Sequence, residues 1–194
     1  AKRGLRVLLV EKTEYFGGIT ALSGGGCWIP ENHLMKQVGL SDTRKAAESY
    51  IQGVVGNYLR ADILEAFLDN GPDMLRFMVE NTEVKFNPRT PAPDYYTELE
   101  GGMIGGRSLG SVVYDGRKLG PWFKKLRPPL EPFNAPMGLM MGPLELMHVT
   151  AAGKSLKSAW FSAKLFGGYV RDRFSQKRGT RVTMGNALAA RLLR

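Results

Sequence analysis

The chain has 194 residues, 43% apolar and 23% charged, with one cysteine and a formal net charge of +9. That length can bury a substantial core and makes one domain the prior expectation, and the composition is that of a globular protein rather than a disordered one. The lone Cys27 excludes an internal disulfide and a cysteine-rich metal site, and the absence of any uninterrupted apolar run of about 18 residues argues against a membrane-spanning helix.

At the amino end, Lys2 and Arg3 suit the last turn of a helix capped by Gly4, and the stretch lacks the methionine and apolar region of a signal peptide. Arg6 to Val10 (RVLLV) is predicted to be a buried parallel strand, because runs of this kind suit a strand covered on both faces. Glu11 then stands just past the strand's carboxyl end, where open α/β sheets bind ligands and an acid can accept hydrogen bonds from a ribose diol. Gly17-Gly18 and Gly24-Gly25-Gly26 bracket Thr20 and Ser23, so backbone can approach a large ligand while hydroxyls bond its oxygens. Beside them Cys27 is expected to be a small buried apolar residue rather than a reactive thiol.

The ordered combination of a strand ending in Glu-Lys and then GGxTxxSGGGxWIP resembles the FAD-binding domain of the fumarate reductase and succinate dehydrogenase flavoprotein superfamily, and within it the 3-ketosteroid dehydrogenases. The resemblance implies an α/β fold, part of a Rossmann-like FAD-binding domain with many helices. It implies that Glu11 holds the adenosine ribose of FAD and that Gly17, Gly18, Thr20, Ser23, Gly24 and Gly25 line the cofactor, with Lys12, Ala21 and Gly26 counted among its contacts. The first strand and GxGxxG turn of such a domain are not in this sequence, so the chain is expected to begin inside a domain.

Next come four predicted helices: Glu31 to Val38 closed by Gly39, Thr43 to Val54 capped from Ser41-Asp42, Arg60 to Leu68, and Pro72 to Glu80 after a break at Asn70-Gly71. His33 is expected to be an exposed lone histidine, not a metal ligand, and no metal site is expected. Residues 86–110 hold Pro88, Pro91 and Pro93 with two glycine pairs, the composition of a fixed, irregular loop with a functional role. Inside it, Asp94-Tyr95-Tyr96-Thr97-Glu98-Leu99-Glu100-Gly101-Gly102 is similar to the ketosteroid dehydrogenase loop DYxPExPGG, except that Thr97 and Glu100 stand where that pattern has prolines. The resemblance carries a catalytic tyrosine onto Tyr95, with Tyr96 the alternative. A phenol there would lie on a flat apolar substrate and support the base that removes a weakly acidic C–H proton.

Ser108 to Tyr114 alternates like a strand, Asp115-Gly116-Arg117 is a turn, Leu119 to Leu130 reads as a brief helix stopped by Pro128-Pro129, and Met137 to Met141 is a methionine-rich apolar patch. Residues 154–194 carry 10 basic side chains and one acid, Asp172. Trp160, Phe161, Leu165, Phe166, Tyr169 and Phe174 recur at helical spacing, which predicts an amphipathic helix with these residues inward and a basic outer face. A peripheral membrane contact is the main alternative, and no nucleic-acid partner is expected. The ending, RGTRxxMGNALxARLL, again resembles the same flavoproteins, leading into a helix from Ala187 that the sequence cuts off.

The resemblance thus implies one partial FAD-binding domain over residues 1–194, without a substrate domain or a carboxyl-terminal cofactor segment. FAD is the implied cofactor, a steroid or similar flat apolar ketone the substrate, and an external acceptor the electron sink. The implied reaction places a double bond in steroid ring A, with the principal base in a segment outside this sequence, so the isolated chain is expected to be inactive and to bind FAD weakly. The alternatives are a fumarate reductase-like enzyme for a dicarboxylate and a non-catalytic basic module for membrane or nucleic acid. A single cysteine suits the cytoplasm, with membrane association as the other placement.

Overall fold

The computed structural model describes residues 4–131, 134–135 and 138–194, so the helix end expected at Lys2-Arg3 and the methionine at position 137 lie outside the described residues. The chain forms two compact units, one of residues 26–111 and one of residues 4–25 with 112–194.

Residues 5–11 carry no regular structure, and Leu5, Val7, Leu8, Leu9 and Val10 are 67–86% exposed. The strand expected over Arg6 to Val10 is therefore not formed. A parallel strand needs neighbours for its N–H and C=O groups and cover on both faces, and no described strand or helix supplies them here. The first helix of the described residues is α1 (Gly18–Leu22).

The unit of residues 26–111 then begins with β1 (Gly26–Trp28), followed by a 3-10 turn over His33–Val38 where a longer helix was expected. Helix α2 (Arg44–Val55) is capped by Thr43, whose hydroxyl accepts from the Ala46 N–H at 3.2 Å, and not by Ser41-Asp42, because the Asp42 carboxylate is engaged elsewhere. Helix α3 (Ala61–Asn81) is continuous where two helices were predicted, with Pro72 inside it. Two features let it pass through. Leu64, Leu68, Gly71 and Leu75 form one buried stripe across the proline, and Gly71 has no Cβ to clash with the proline ring. Strands β2 (Phe86–Pro88) and β3 (Ser108–Ser111) complete an antiparallel sheet in the order β1-β3-β2, with Cys27 opposite Leu109 and Asn87 opposite Gly110.

Returning to the first unit, β4 (Tyr114–Asp115) pairs antiparallel with β7 (Arg181–Val182), so the single strand expected from Ser108 to Tyr114 is two short ones in different units. A kinked 3-10 segment, Gly116–Lys125, takes the place of the brief helix expected from Leu119. Strands β5 (Asn134–Ala135) and β6 (Leu139–Met140) form a hairpin before α4 (Pro143–Thr150), α5 (Leu156–Arg173) and α6 (Met184–Leu193). Ala21, Tyr114, Leu119, Phe123, Leu126, Met140, Val182 and the alanines of α6 are the core of this unit.

On α5, Leu165 and Tyr169 pack inward with Phe161 and Phe166 beside them, as the spacing predicts, but Trp160 and Phe174 are 74% and 88% exposed. Their positions fall on the opposite side of the helix from Leu165, so the aromatic set expected to share one face divides between two. The fold is mixed helix and sheet. All strand pairings among the described residues are antiparallel apart from one isolated parallel bridge between Phe16 and Leu126, so the expected Rossmann-like parallel sheet does not appear there. Among the described residues no helix is long and apolar enough to cross a membrane.

Candidate functional site

The glycine segment of the first unit is held by close contact with α6. The Gly25 backbone has φ +62, and a Cβ there would stand 2.3 Å from the Met184 carbonyl carbon; a Cβ on Gly185 would stand 1.8 Å from the Thr20 carbonyl oxygen. Both glycines are therefore required for the crossing, which the Gly185 N–H seals by donating to the Ser23 carbonyl at 3.1 Å. Asn186, fully buried, donates from Nδ2 to the Ala21 carbonyl at 2.7 Å and accepts from Arg178 Nη2 at 2.6 Å. Burial lowers the Arg178 pKa to about 10, which still leaves it charged at neutral pH, stacked 5.3 Å from the Phe123 ring centre.

What this contact leaves open differs from glycine to glycine. Ala21 and Gly25 are buried against α6, whereas beside Gly18 and Gly24 no atom lies within 4 Å of where a Cβ would stand. The Ser23 hydroxyl donates to the Thr20 carbonyl at 2.9 Å and accepts from the Gly25 N–H at 3.0 Å, fixing the turn between those glycines. Glu11 and Lys12 are exposed, and the Glu11 carboxylate accepts from the Thr13 N–H at 3.0 Å, the main cause holding its pKa below the ordinary carboxylate value. An ionised acceptor and two glycines facing open space fit a large ligand with a ribose and a pyrophosphate.

Gly26, Tyr95 and Tyr96 lie in the other unit, where the tyrosine loop rests on buried charge. Arg107, 1% exposed, donates from Nε and Nη2 to both oxygens of Asp42 at 2.7 and 2.8 Å and from Nη1 to Asp94 at 2.9 Å. Asp94 also accepts from Trp28 Nε1 at 2.7 Å and from the Met103 N–H at 3.0 Å, so both its oxygens are engaged. The Arg107 guanidinium lies 5.4 Å from the Trp28 ring centre and 5.5 Å from that of Tyr50. Burial by itself would push the Asp42 carboxyl up; the hydrogen bonds and charge of Arg107, with the N–H groups of Glu31 and Thr43, outweigh it and hold the pKa below its usual value.

This network fixes the backbone on the amino side of Tyr95. The loop also packs on α2 where Gly101 approaches: a Cβ there would stand 2.0 Å from the Ala46 carbonyl oxygen. The Tyr95 ring is 98% exposed and borders a cavity of about 410 Å³ that Trp28, Tyr50, Ile51, Val54 and Pro93 also line, and the Tyr96 N–H donates to the Tyr50 hydroxyl at 3.5 Å. The wall is aromatic and aliphatic, and its one carboxylate, Asp94, is already paired with Arg107.

Sequence reasoning missed Arg107, met Trp28 only as a letter of the glycine motif, and took Asp42 for a helix cap. The available signal was a lone arginine directly before strand β3, where a buried charge has to find partners. Cys27 is half-buried, and burial pushes its thiol pKa up, as expected of an unreactive thiol. His33 is half-buried rather than exposed, with its Nδ1 enclosed. Among the described residues no group of three His, Cys, Asp or Glu side chains could hold a metal ion.

The FAD binding domain family matches this sequence over residues 1–194. The chain belongs to the FAD binding domain family. The cofactor of this domain is FAD. The domain is 43% identical over 128 residues to a 3-oxosteroid 1-dehydrogenase of Mycobacterium tuberculosis, an alignment covering 66% of this chain and 23% of that protein. It is 35% identical over 174 residues to a 4-oxocyclohex-2-ene-1-carboxylate 5-dehydrogenase of Sinomonas cyclohexanicum, covering 84% of this chain and 29% of that one. Among solved structures it superposes with a TM-score of 0.84 on a 3-ketosteroid delta1-dehydrogenase of Sterolibacterium denitrificans in complex with 1,4-androstadiene-3,17-dione, at 32% identity, covering 98% of this chain and 34% of that one. The chain therefore spans about a quarter to about a third of the length of these relatives.

Proposed function

We propose that this chain is part of an FAD-dependent 3-ketosteroid dehydrogenase that introduces a double bond into steroid ring A, a 3-oxosteroid 1-dehydrogenase. The observation that carries the reading is the likeness, over 98% of the chain, to a 3-ketosteroid delta1-dehydrogenase solved in complex with 1,4-androstadiene-3,17-dione. It is supported by the apolar cavity beside the tyrosine loop, whose walls suit a flat, uncharged ketone.

In this reading the C–H bond α to the ketone loses a proton, the neighbouring carbon gives up a hydride, and a carbon–carbon double bond forms between them. Bound FAD supplies the two-electron acceptor, and an external acceptor removes the electrons afterwards. Glu11 accepts hydrogen bonds from the ribose, while Gly17, Gly18, Thr20, Ser23 and Gly24 bring backbone close to the cofactor, with Lys12 and Gly26 as further contacts. Ala21 and Gly25 hold that segment on α6, and so act through its shape. The Tyr95 phenol, anchored through Asp94, lies against the substrate and hydrogen-bonds the group that takes the proton; Tyr96 seats the loop on Tyr50. A peripheral membrane contact belongs to the same reading, since the substrate is lipophilic.

The Sinomonas relative gives a second reading some weight, in which the substrate is a small cyclic ketone bearing a carboxylate. Such a substrate needs a cation beside it, and among the described residues no basic side chain lines the cavity next to Tyr95. The neutral steroid is the better fit. Replacing Tyr95 with Phe in the intact protein should lower kcat for 4-androstene-3,17-dione by about 10²-fold or more while flavin content stays at one per chain. Unchanged turnover would remove Tyr95 from the mechanism, and turnover of 4-oxocyclohexanecarboxylate in place of the steroid would reverse the two readings.

A further inference from the structure

Residues of β4, α4, α5 and β7 line a cavity of about 480 Å³, within the range of sites for small organic molecules, and none of them lines the cavity beside Tyr95. All belong to the unit of residues 4–25 and 112–194. One wall is apolar, with Phe161, Leu165 and Tyr169 of α5 packed together and Leu139 against them. Glycine keeps the space open. Gly168, inside α5, lines the cavity, and no atom lies within 4 Å of where its Cβ would stand. A glycine within a helix weakens it relative to alanine, and here no neighbour requires one. What the missing side chain leaves is room.

The charges around this cavity do not cancel. Four cations, Arg117, Lys164, Arg171 and Arg181, stand against three carboxylates, and each carboxylate is already engaged. Asp115 accepts from Arg117 Nε and Nη2 at 2.9 and 2.7 Å. Glu145 accepts from Arg181 Nη2 and from the Gly142 N–H, and Asp172 accepts from the Thr180 N–H at 2.8 Å and from its hydroxyl. The side chains of Lys164 and Arg171 have no partner among the described residues. A donor is left over as well: Arg181 Nη1 is buried without a hydrogen-bond partner, a costly state for an N–H group. A carboxylate would satisfy that donor and balance the surplus of one positive charge. A dianion would overshoot it, and a neutral ligand would leave it standing.

We propose that this cavity binds a small apolar monocarboxylate, with the carboxylate bonded to Arg181 Nη1 and drawn by Lys164 and Arg171. Its hydrocarbon body lies against Phe161, Leu165 and Tyr169 in the room beside Gly168. This goes beyond the dehydrogenase reading, because it rests on a cavity and charges of residues 113–181 and holds whatever the enzyme's substrate is.

The test is isothermal titration of the intact, FAD-loaded protein with 2-naphthoate and with its uncharged counterpart, 2-naphthalenemethanol. The acid should bind about tenfold more tightly than the alcohol, and added salt should weaken the acid alone. Lys164→Gln with Arg171→Gln, both at exposed positions, should remove most of that preference. Arg181→Lys keeps a cation for Glu145 but deletes the second donor, and should weaken the acid by about tenfold. Gly168→Leu should fill the cavity and abolish binding of the acid, with the melting temperature unchanged or raised. Equal binding of acid and alcohol, acetate competing as well as naphthoate, or no binding to the intact protein overturns the proposal. So does a Gly168→Leu variant that binds as tightly as before, or displacement of naphthoate by 4-androstene-3,17-dione, which would put the acid in the steroid site. Steroid turnover is read separately, so failure of the anion site and failure of the enzyme assignment are distinguishable.

Discussion

The two units hold their functional segments by opposite means. In the first, the glycine segment meets α6 through bare backbone, with Gly25 and Gly185 leaving room and Asn186 bonding across. In the second, the tyrosine loop hangs on one buried cation between two carboxylates. A contact of the first kind depends on volume and is indifferent to pH; one of the second kind depends on charge, tolerates little loss of a partner, and responds to acid. The glycine segment is thus protected by shape and the tyrosine loop by electrostatics.

The largest expected effect comes from removing the cation. Arg107→Met should cost about 3–5 kcal/mol in urea unfolding, because Asp42 and Asp94 are left buried and unpaired. Hydrogen exchange should place that loss in residues 26–111 and leave 112–194 protected; equal loss in both would dissolve the contrast. Next, Gly185→Ala should cost about 1–3 kcal/mol, since the new methyl meets the Thr20 carbonyl, a backbone atom that cannot rotate away. Its loss of protection should fall on residues 17–25 and 184–193.

The smallest effect is the pH dependence, and its sign is fixed. The folded Asp42 pKa is lowered, so its contribution is fully present above the unfolded value of ~3.9 and is lost as pH falls below that toward the folded value. Unfolding followed between neutral pH and the acid range should show this loss in residues 26–111. In Arg107→Met the burial that remains pushes Asp42 up instead, so the dependence should reverse and the variant should gain stability on mild acidification. An unreversed slope would mean that Arg107 does not control the carboxylate.

Much of this was legible in the residues themselves. Helices α2 and α3, the Gly39 stop after His33–Val38, the helix at the carboxyl end and the irregular tyrosine loop all follow from periodicity, caps and punctuation. Where the reading failed, distant partners were responsible. Asn70-Gly71, with Pro72 after it, reads as a break only until the Leu64 to Leu75 stripe is seen buried across it. Arg6 to Val10 reads as a strand because its apolar run is right, yet a strand exists only with a neighbour. Trp160 and Phe174 look like core because spacing gives a helix face without saying which face is covered.

By itself the sequence determined the chemistry on offer: a glycine-rich segment after an acid, a tyrosine pair in a proline-rich loop, and a basic carboxyl-terminal segment from residue 154. Those are local properties, set by backbone sterics and side-chain type over a few residues. Only the tertiary structure decided that Gly25 and Gly185 admit each other while Gly18 and Gly24 face open space, that Arg107 joins Asp42 across 65 positions of chain, and that Trp160 and Phe174 are exposed. Contacts of that kind depend on which distant groups arrive at the same place, and periods of two or 3.6 residues carry no record of it.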